Sequence, residues 1–247
     1  MDVSAQSGEG KLISAILVAG GSGTRFGGQA NSETVPKQFQ PLNGYRLYMW
    51  SLSRLYRSNI FGHIVVTSPA RYVDEIQSEI DRLLPGKITV IAGGGSRQES
   101  VSLALEKLFV LGKPEFVLVH DAARPFVSDI TIKDAIDTVT TLGACTVATA
   151  VSDTIKLVEH QKICQTINRE NLYAVQTPQA APFDLLIDCH RQASKSGLGV
   201  TDDAAILEHF GHKVVIFKGS TNNIKVTVLD DLRACELLAP LFLSESP

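Results

Sequence analysis

The sequence has no long apolar run and no excess of basic residues, and each absence excludes a class of protein. No apolar stretch approaches the roughly 18 residues that a membrane-spanning helix needs, so we expect no membrane association. The 247 residues include 23 Lys or Arg and 26 Asp or Glu, which gives a formal net charge of −3. Because nucleic-acid binding usually requires a basic surface, we expect no nucleic-acid partner. A small anion bound by a local cluster of cations is compatible with this balance.

Cysteine is also scarce, and its spacing disfavours a zinc site. The cysteines are widely separated and form no C-x-x-C pair, which favours reduced thiols in a cytoplasmic compartment. They are Cys145, Cys164, Cys189 and Cys235. The N-terminal segment MDVSAQSGEGK is polar and lacks the apolar region of a signal peptide. We therefore expect residues 1–12 to form a flexible tail on a cytoplasmic protein, or on a protein of the plastid stroma if the source is a plant or an alga.

The two best-known glycine motifs of nucleotide-binding proteins are absent as well. A P-loop ends in Gly-Lys followed by Ser or Thr, and no such sequence follows the glycines at positions 20–23. The dinucleotide fingerprint G-x-G-x-x-G, begun at Gly21, would need a glycine where Phe26 stands. Neither an ordinary ATPase nor an NAD-dependent enzyme is therefore favoured.

The most informative stretch that is present covers residues 16–38. A short apolar run ends in GGSG at positions 20–23 and is followed by Arg25 and, after a polar loop, by Lys37. Glycines let backbone N–H groups approach an anion closely, and the two cations add positive charge. The pattern predicts a strand followed by a loop that wraps phosphates. A simple glycine-rich turn is the alternative.

Beyond this loop, strand-like and helix-like segments alternate, which predicts βαβ units and an α/β fold built on a mostly parallel, twisted sheet flanked by helices. Strand character occurs at 63–67, 88–92, 116–120, 146–151 and 213–217, and helical spacing at 45–58, 72–84, 99–111, 130–142, 183–193, 203–210 and 229–238. In such sheets, ligands bind beyond the carboxyl ends of the strands. The loops at 20–25, 93–97 and 121–125 each follow a strand, so we expect them to form the site.

Residues 152–173 depart from this pattern and alternate like two short strands around a turn at 160–162. A two-stranded hairpin inserted into an α/β domain buries little surface by itself. We therefore expect a hairpin arm, at about 152–175, that packs on something else, and a second copy of the chain is the simplest candidate. An ordinary β-excursion within one chain is the alternative. Residues 13–247 are expected to form a single domain that includes this arm.

The motif HDAARP at 120–125 follows a strand that is expected to be buried. Asp121, at the carboxyl end of this strand and beside a phosphate loop, is a candidate ligand for Mg²⁺, which prefers carboxylate and phosphate oxygens. Arg124 is a candidate to orient that carboxylate or to contact phosphate. The alternative is structural: Asp121 caps the next loop, and Arg124 is its salt-bridge partner.

The segment GGGSRQES at 93–100 places a glycine turn against the start of a helix. Backbone groups in such a turn, together with Ser100, can bind the polar edge of a base. A small pocket made of backbone suits a pyrimidine better than a purine. Ser96 is explained equally well as the N-cap of the helix.

Two later segments supply further candidates. Lys225 lies between apolar residues in NNIKVT at 222–227, which is unusual inside a strand unless its ammonium has a partner such as a phosphate. A strand with one solvent-facing side is the alternative. The segment TDDA at 201–204 is most simply a helix N-cap, and Asp202 is also a candidate substrate contact.

Taken in order, these motifs resemble those of a known family. They are the AGGxGxR…PKQ loop, HDAARP, the pair DTIK and RxxLYAVQTPQ, TDDA, and NIKVT. Over about residues 13–238 the chain is similar to the 2-C-methyl-D-erythritol 4-phosphate cytidylyltransferases. The resemblance implies a Rossmann-like nucleotidyltransferase fold, a homodimer joined by the hairpin arms, and CTP and Mg²⁺ as requirements. It also implies transfer of CMP to a polyol phosphate, 2-C-methyl-D-erythritol 4-phosphate, with release of pyrophosphate in non-mevalonate isoprenoid biosynthesis.

The resemblance also implies roles for individual residues. Arg25, Lys37 and Lys225 correspond to catalytic cations that contact the phosphates, and Gly21, Ser22 and Gly23 to the phosphate loop. The cytosine and ribose pocket corresponds to Ala19, Gly20, Gly94, Gly95 and Ser100. Asp121 corresponds to the metal-associated carboxylate in the nucleotide site. Substrate-binding candidates are Arg124, Thr201 and Asp202, together with the arm residues Thr154 and Arg169, which reach the sugar phosphate from the partner subunit.

Two departures from the family pattern bear on the site. Gly95 stands where family members often carry Asp, so one polar contact to the nucleotide is lost or comes from the backbone. The loop FGGQANSETV at 26–35 is longer than in many members and is a candidate lid that closes on CTP.

Three other functions are compatible with parts of the sequence. Ribitol 5-phosphate cytidylyltransferases have similar loops, although Ala122-Ala123 and the NIKVT motif favour methylerythritol phosphate. A regulatory module that binds CTP without chemistry would not need Asp121 and the proposed cations. A structural interaction protein would leave the three strand-end loops unexplained.

Overall fold

The predicted alternation of strands and helices is present in the structure, a computed structural model that describes residues 13–20, 35–245 and 247. The strands are β1 (Ile13–Val18), β2 (Pro41–Leu42), β3 (Tyr45–Arg46), β4 (His63–Ser68), β5 (Ile88–Ala92), β6 (Phe116–Asp121), β7 (Cys145–Ala150), β8 (Ile155–Glu159), β9 (Lys162–Ile167), β10 (Tyr173–Pro182) and β11 (Val215–Lys218). The helices are α1 (Leu47–Arg57), α2 (Val73–Leu83), α3 (Arg97–Leu111), α4 (Asp129–Leu142), α5 (Phe183–Ser196), α6 (Asp203–His209) and α7 (Leu229–Leu238). The predicted tail at 1–12 and most of the predicted lid lie outside the described residues.

A seven-stranded sheet forms the centre of the fold, in the order β11-β7-β10-β6-β1-β4-β5. Neighbouring strands are parallel except at β10, which runs antiparallel to both β6 and β7. The mostly parallel α/β sheet predicted from the sequence is therefore confirmed. From β1 the chain first adds β4 and β5 on one side and then places β6 on the other. The carboxyl ends of β1 and β6 thus lie at a topological switch point, where α/β sheets bind their ligands.

Successive side chains of the central strands enter two different core layers. In β1, Ala15 and Leu17 pack with residues of α1, α2 and α4, whereas Ile16 packs with residues of α3, α5 and α6. Because helices cover both faces of the sheet, the strands are apolar along almost their whole length. None of the helices in the described part of the chain has the length and apolar content needed to cross a membrane.

Strand β10 is the main element that the sequence did not predict. Its sequence, YAVQTPQAAP, contains two prolines and two glutamines, which are poor signals for a central strand. The register between β10 and β7 shifts between Val175 and Gln179, and Pro178 lies within this irregularity. A proline is tolerated there because the regular ladder is interrupted. Two site residues described below, Thr177 and Gln179, come from this strand.

The predicted hairpin is present as the two-stranded antiparallel sheet of β8 and β9. Its two-residue loop, His160-Gln161, has positive φ at both positions, as a tight hairpin turn requires. Neither face of the hairpin is buried, and Leu157, Val158 and Ile163 are 47%, 51% and 66% exposed. Residues 173–175, expected at the end of the arm, already pair with β7 in the central sheet.

Candidate active site

The predicted glycine loops after β1 and β5 meet at the carboxyl edge of the sheet. A Cβ atom placed on Gly20 would lie 3.4 Å from Cα of Gly93, and one placed on Gly93 would lie 2.8 Å from Oγ of Ser100. Ser100 is buried; its Oγ accepts a hydrogen bond from N of Gly94 (3.1 Å) and donates one to O of Ser96 (2.8 Å). Glycine is therefore needed for this close approach, which leaves unobstructed backbone between the two loops.

A glutamate folds back over the second of these turns. Oε2 of Glu99 accepts a hydrogen bond from N of Gly95 at 2.7 Å, and a Cβ atom on Gly94 would lie 2.3 Å from Cγ of Glu99. Ser96 is the N-cap of α3, as predicted, because its Oγ accepts a hydrogen bond from N of Glu99 (3.0 Å). The Glu99 carboxylate thus binds the backbone of this turn, which carries Gly rather than Asp at position 95.

Asp121 ends β6 at the switch point and is held by two cations. Its Oδ1 accepts a hydrogen bond from Nε of Arg97 at 2.9 Å, and its Oδ2 accepts one from Nζ of Lys225 at 2.6 Å. Burial alone would raise the pKa of this carboxyl, but Arg97 and Lys225 outweigh it and hold the pKa far below its usual range. Asp121 is therefore a carboxylate at every physiological pH. Arg124 is not its partner, so the Asp121–Arg124 salt bridge considered from the sequence is not formed.

Arg97 joins Asp121 to a second buried carboxylate. Its Nη2 lies 2.9 Å from Oδ2 of Asp203, whose Oδ1 lies 3.0 Å from Nε2 of His190. Arg97 was not among the site residues predicted from the sequence. One signal was available: Arg97 is the first residue of α3, and a cation is unfavourable at the positive end of a helix dipole unless a carboxylate compensates it.

A fully buried histidine lies behind Asp121. Nδ1 of His120 lies 3.0 Å from Oγ1 of Thr177, and Nε2 lies 3.2 Å from the carbonyl oxygen of Arg124. Burial lowers the pKa of His120 to about 4, so the ring is neutral at pH 7, with its proton on Nε2 facing the carbonyl. Thr177 Oγ1 also accepts a hydrogen bond from N of Asp121 (3.0 Å). This network fixes the backbone on both sides of Asp121.

A cavity of about 250 Å³, here called the site cavity, adjoins Asp121. Its lining includes Arg97, Asp121, Arg124, Thr177, Gln179, Thr201, Asp202 and Lys225. The substrate candidates Arg124, Thr201 and Asp202 therefore lie together with the predicted carboxylate and the late lysine, although they are far apart in the sequence. Nη1 of Arg124 donates a hydrogen bond to O of Asn223 (2.7 Å), whereas its buried Nε has no hydrogen-bond partner among the described residues.

Gln179 fixes one wall of the site cavity. Its Nε2 donates a hydrogen bond to Oδ2 of Asp202 (2.9 Å), and its Oε1 accepts hydrogen bonds from the backbone N of Asp203 (2.9 Å) and Ala204 (3.1 Å). Asp202 is the N-cap of α6, as predicted, because Oδ1 accepts a hydrogen bond from N of Ala205 (3.0 Å). Gln179 was missed because a lone Gln in a proline-rich segment gives no sequence signal.

Lys37 and Lys225 are brought to the same segment of chain. Nζ of Lys37 donates a hydrogen bond to O of Val226 (2.8 Å), and N of Val226 donates one to O of Ala123 (2.8 Å). Residues 224–227 have irregular backbone, so the expectation that Lys225 lies in a strand is wrong. The reason is that side chains and the loop after β6 satisfy the backbone of this segment. Asp231 of α7, for example, accepts hydrogen bonds from N of Thr227 (2.7 Å) and N of Val228 (2.9 Å).

The remaining predicted residues either do not line the site cavity or lie outside the described residues. Thr154 and Arg169 are exposed at the base of the arm, where Nη1 of Arg169 donates a hydrogen bond to the carbonyl oxygen of Ser152. Of the nucleotide candidates, Ala19 and Gly20 follow β1 directly. Gly21, Ser22, Gly23 and Arg25 lie outside the described residues, so their predicted roles stay predictions.

The donor set around Asp121 fits Mg²⁺ only if phosphate oxygens or waters complete the coordination. Among the described residues there is no group of three or more His, Cys, Asp or Glu side chains that could hold a metal ion. Mg²⁺ is commonly bound by one or two carboxylates together with substrate phosphates and waters. Asp121, ionised and lining the site cavity, matches the protein's part in such a site.

Comparisons with known proteins agree with this geometry. The family model for 2-C-methyl-D-erythritol 4-phosphate cytidylyltransferase (IspD) matches residues 13–239. A protein of that name from Clostridium novyi is 37% identical over 88% of this chain and 92% of its own length, and one from Clostridium beijerinckii is 37% identical over 91% and 97%.

A solved structure shows the same relation. The crystal structure of 4-diphosphocytidyl-2C-methyl-D-erythritol synthase from Anaerococcus prevotii is 28% identical to this chain, with a TM-score of 0.80 over 94% of this chain and 100% of the other. The match to the family model extends from β1 through α7 and includes every described element of the site. The chain is therefore a member of the 2-C-methyl-D-erythritol 4-phosphate cytidylyltransferase family.

Proposed function

We propose that this chain transfers CMP from CTP to 2-C-methyl-D-erythritol 4-phosphate, releasing pyrophosphate and forming 4-diphosphocytidyl-2-C-methyl-D-erythritol in isoprenoid biosynthesis. Family membership supports this function. The structural observation that supports it best is the site cavity, in which Arg97 and Lys225 bind the Asp121 carboxylate and Arg124 lines the same space. Such a cavity suits two anionic substrates that must be brought together.

The reaction needs neutralisation of charge more than it needs a base. A phosphate oxygen of the sugar phosphate attacks the α-phosphorus of CTP, and the bond from that phosphorus to the α–β bridging oxygen breaks as pyrophosphate leaves. The attacking oxygen is already anionic, so no proton has to be removed from it. The obstacles are repulsion between two anions and the charge that develops on the leaving group. Fixed cations reduce both through positioning and electrostatics.

The described residues divide this work between them. Backbone at Gly20, Gly94 and Gly95, with Ala19 and Ser100, would hold the cytosine and ribose. Lys225 and Lys37, together with Arg25 outside the described residues, would contact the phosphates. This assignment follows the family pattern and agrees with the joining of Lys37 and Lys225 to one segment.

Asp121 would hold Mg²⁺ together with phosphate oxygens, and the bound ion would supply further neutralisation of the triphosphate. Asp121 suits this role because its low pKa keeps it ionised. On the sugar-phosphate side, Arg124, Thr201 and Asp202 share the site cavity. The buried Nε of Arg124, which has no hydrogen-bond partner in the described part of the chain, would gain one from substrate.

We also infer a cytoplasmic homodimer in which the arms join the subunits and bring Thr154 and Arg169 to the partner's site. The exposure of Leu157, Val158 and Ile163 on an isolated two-stranded sheet supports this inference. Such a sheet is marginally stable in water without a surface to pack against.

A pyrophosphate-release assay tests the proposed function. The purified chain is incubated with CTP, MgCl₂ and either 2-C-methyl-D-erythritol 4-phosphate or ribitol 5-phosphate, with UTP and ATP in place of CTP as controls. We expect turnover with CTP and methylerythritol phosphate alone. Turnover confined to ribitol 5-phosphate would identify the other cytidylyltransferase class, and CTP binding without turnover would identify a regulatory module.

A further inference from the structure

The two cations on Asp121 are held very differently. Lys225 extends from irregular backbone, and its side chain is 36% exposed. Arg97 extends from the first turn of α3, its side chain is 21% exposed, and its far end is paired with a second carboxylate. Lys225 is therefore held less firmly than Arg97, which is less exposed and bound to two carboxylates.

The second carboxylate is itself fixed from three directions. Asp203 has a side chain that is only 3% exposed; its Oδ2 lies 2.9 Å from Nη2 of Arg97, and its Oδ1 lies 3.0 Å from Nε2 of His190. Its backbone N donates a hydrogen bond to Oε1 of Gln179 at 2.9 Å. His190 is 1% exposed, so the Asp203–His190 pair is shielded from solvent. Arg97 thus lies between two carboxylates, Asp121 at the sheet edge and Asp203 at the start of α6.

The shape of the guanidinium matters as much as its charge. Arg97 contacts Asp121 through Nε and Asp203 through Nη2, two nitrogens at a fixed separation in one rigid plane. A lysine ammonium is a single point of charge on a flexible stem and cannot reproduce this spacing. An arginine at position 97 therefore sets the orientation of the Asp121 carboxylate as well as its charge.

We propose that Arg97 is a positioning residue for nucleotidyl transfer: it fixes the Asp121 carboxylate through Oδ1, and the buried Asp203–His190 pair fixes Arg97. This rests on the proposed function, since Asp121 is the carboxylate assigned there to hold the metal. Arg97 keeps that carboxylate in one orientation when Lys225 moves to the phosphates. Groups that orient a metal-binding carboxylate typically change metal affinity or activity by about 10–100-fold when replaced.

The experiment compares four variants with the wild-type chain. Arg97→Lys keeps the positive charge and removes the planar guanidinium that contacts both carboxylates. Asp203→Asn and His190→Gln change only the buried pair that holds Arg97. Arg191→Lys is the matched control, because Arg191 also joins α5 to α3, through Glu106 (2.7 and 2.9 Å), but lies outside the site. The readouts are kcat, KM for both substrates, the melting temperature, and Mn²⁺ binding in the presence of CTP, followed by electron paramagnetic resonance.

For Arg97→Lys we expect kcat and Mn²⁺ affinity to fall together by about 10–100-fold, with little change in KM for CTP. Asp203→Asn and His190→Gln should also lower kcat and Mn²⁺ affinity, but less than Arg97→Lys does. Arg191→Lys should have the kcat and Mn²⁺ affinity of the wild type. Wild-type kcat and Mn²⁺ affinity in Arg97→Lys would overturn the proposal, as would equal losses in Arg191→Lys. If Arg97→Lys does not fold, His190→Gln decides the matter in the same way: lower kcat at an unchanged melting temperature supports the proposal, and wild-type kcat refutes it.

This test can be distinguished from that of the proposed function. A wild-type chain that turns over no polyol phosphate would contradict the function. The Mn²⁺ comparison needs no turnover, so a normal Mn²⁺ site in Arg97→Lys would contradict the role of Arg97 alone.

Discussion

Individual residues at the strand ends differ in how firmly their charges are fixed. Asp121 is bound on both oxygens, whereas Lys225 has one side-chain contact within the described part of the chain and remains partly exposed. Arg124 is buried but keeps one N–H without a hydrogen-bond partner among the described residues. Binding of an anion in the site cavity would therefore require movement of Lys225 and little movement of Arg124.

The phosphate-contacting role of Lys225 predicts a specific loss. In Lys225→Met we expect kcat to fall by about 10²–10³, the usual effect of removing one preorganised donor, while the far-UV circular dichroism stays unchanged. Lys133→Met is the control, since Lys133 pairs with Asp137 on the surface of α4 and should have wild-type kcat. Near-normal turnover in Lys225→Met would remove this lysine from the mechanism.

His120 predicts a pH dependence of stability. Burial lowers the pKa of His120 from 6.5 to about 4, so between these values the unfolded chain binds a proton that the folded chain does not. Stability should therefore fall as the pH drops through this window. We expect the wild type to lose roughly 3 kcal/mol more than His120→Gln between pH 7 and pH 4, measured by urea unfolding. Parallel stability curves for the two proteins would contradict a buried, neutral His120.

At the scale of elements, helix α7 matters for the site although it contributes no side chain to the site cavity. Its third residue, Asp231, accepts hydrogen bonds from N of Thr227 and N of Val228, as the N3 residue of a capping box does. These bonds fix the backbone just after Lys225, and the Val226 carbonyl in the same segment binds Lys37. The start of this helix therefore sets the position of both lysines.

Asp231→Ala should consequently reduce stability and activity together. We expect a loss of about 1 kcal/mol in the free energy of unfolding, typical of a removed cap, and a decrease in kcat with a smaller change in KM for CTP. Asp230→Ala is the control, because Asp230 pairs with exposed Arg233 on the same helix and its side chain forms no hydrogen bond with the described residues 224–228. Equal kcat in the two variants would show that α7 does not position the lysines.

The hairpin arm is the second element whose surroundings predict a result. In Leu157→Asp and Ile163→Asp, a charge replaces an exposed apolar side chain of the arm, and we expect the dimer to dissociate while the fold persists. Analytical ultracentrifugation measures the mass, and circular dichroism checks the fold. Val110→Asp is the control, because Val110 is 79% exposed on α3, away from the arm. A dimer that survives both arm substitutions would place the interface elsewhere.

At the scale of the whole molecule, the order of helices and parallel strands could be predicted from the sequence. The antiparallel strand β10, which lies between β6 and β7, could not. Apolar periodicity and turn residues located the helices and the parallel strands to within three residues. Apolar periodicity did not reveal β10, because Gln176, Pro178 and Gln179 interrupt the apolar pattern. This strand is buried mainly in its C-terminal half. The site shows the same division: Asp121 and Lys225 were found from local sequence, whereas Gln179 depends on tertiary contacts without a local signal. For Arg97 the only local indication was a cation at the start of a helix, and its partners are again tertiary.

Ligand binding should stabilise the whole domain if the glycine loops and the site cavity form one nucleotide site. At CTP·Mg²⁺ concentrations about 100 times Kd, linkage adds about 2.7 kcal/mol, which corresponds to roughly 5–10 °C in Tm for a domain of this size. Differential scanning fluorimetry measures the shift, with ATP·Mg²⁺ as the control. Equal shifts with both nucleotides would contradict a pocket suited to a pyrimidine.

Strand β10 connects the hairpin arm directly with the site cavity. This strand starts at the base of the arm with Tyr173, reaches the site with Thr177 and Gln179, and finishes against β6 with Pro182. Thr177 holds the backbone of Asp121, and Gln179 holds Asp202. One continuous strand therefore connects the base of the arm with the two residues that hold Asp121 and Asp202. In the proposed dimer, the strand that follows the arm would therefore be the same strand that fixes Asp121 and Asp202 in the site.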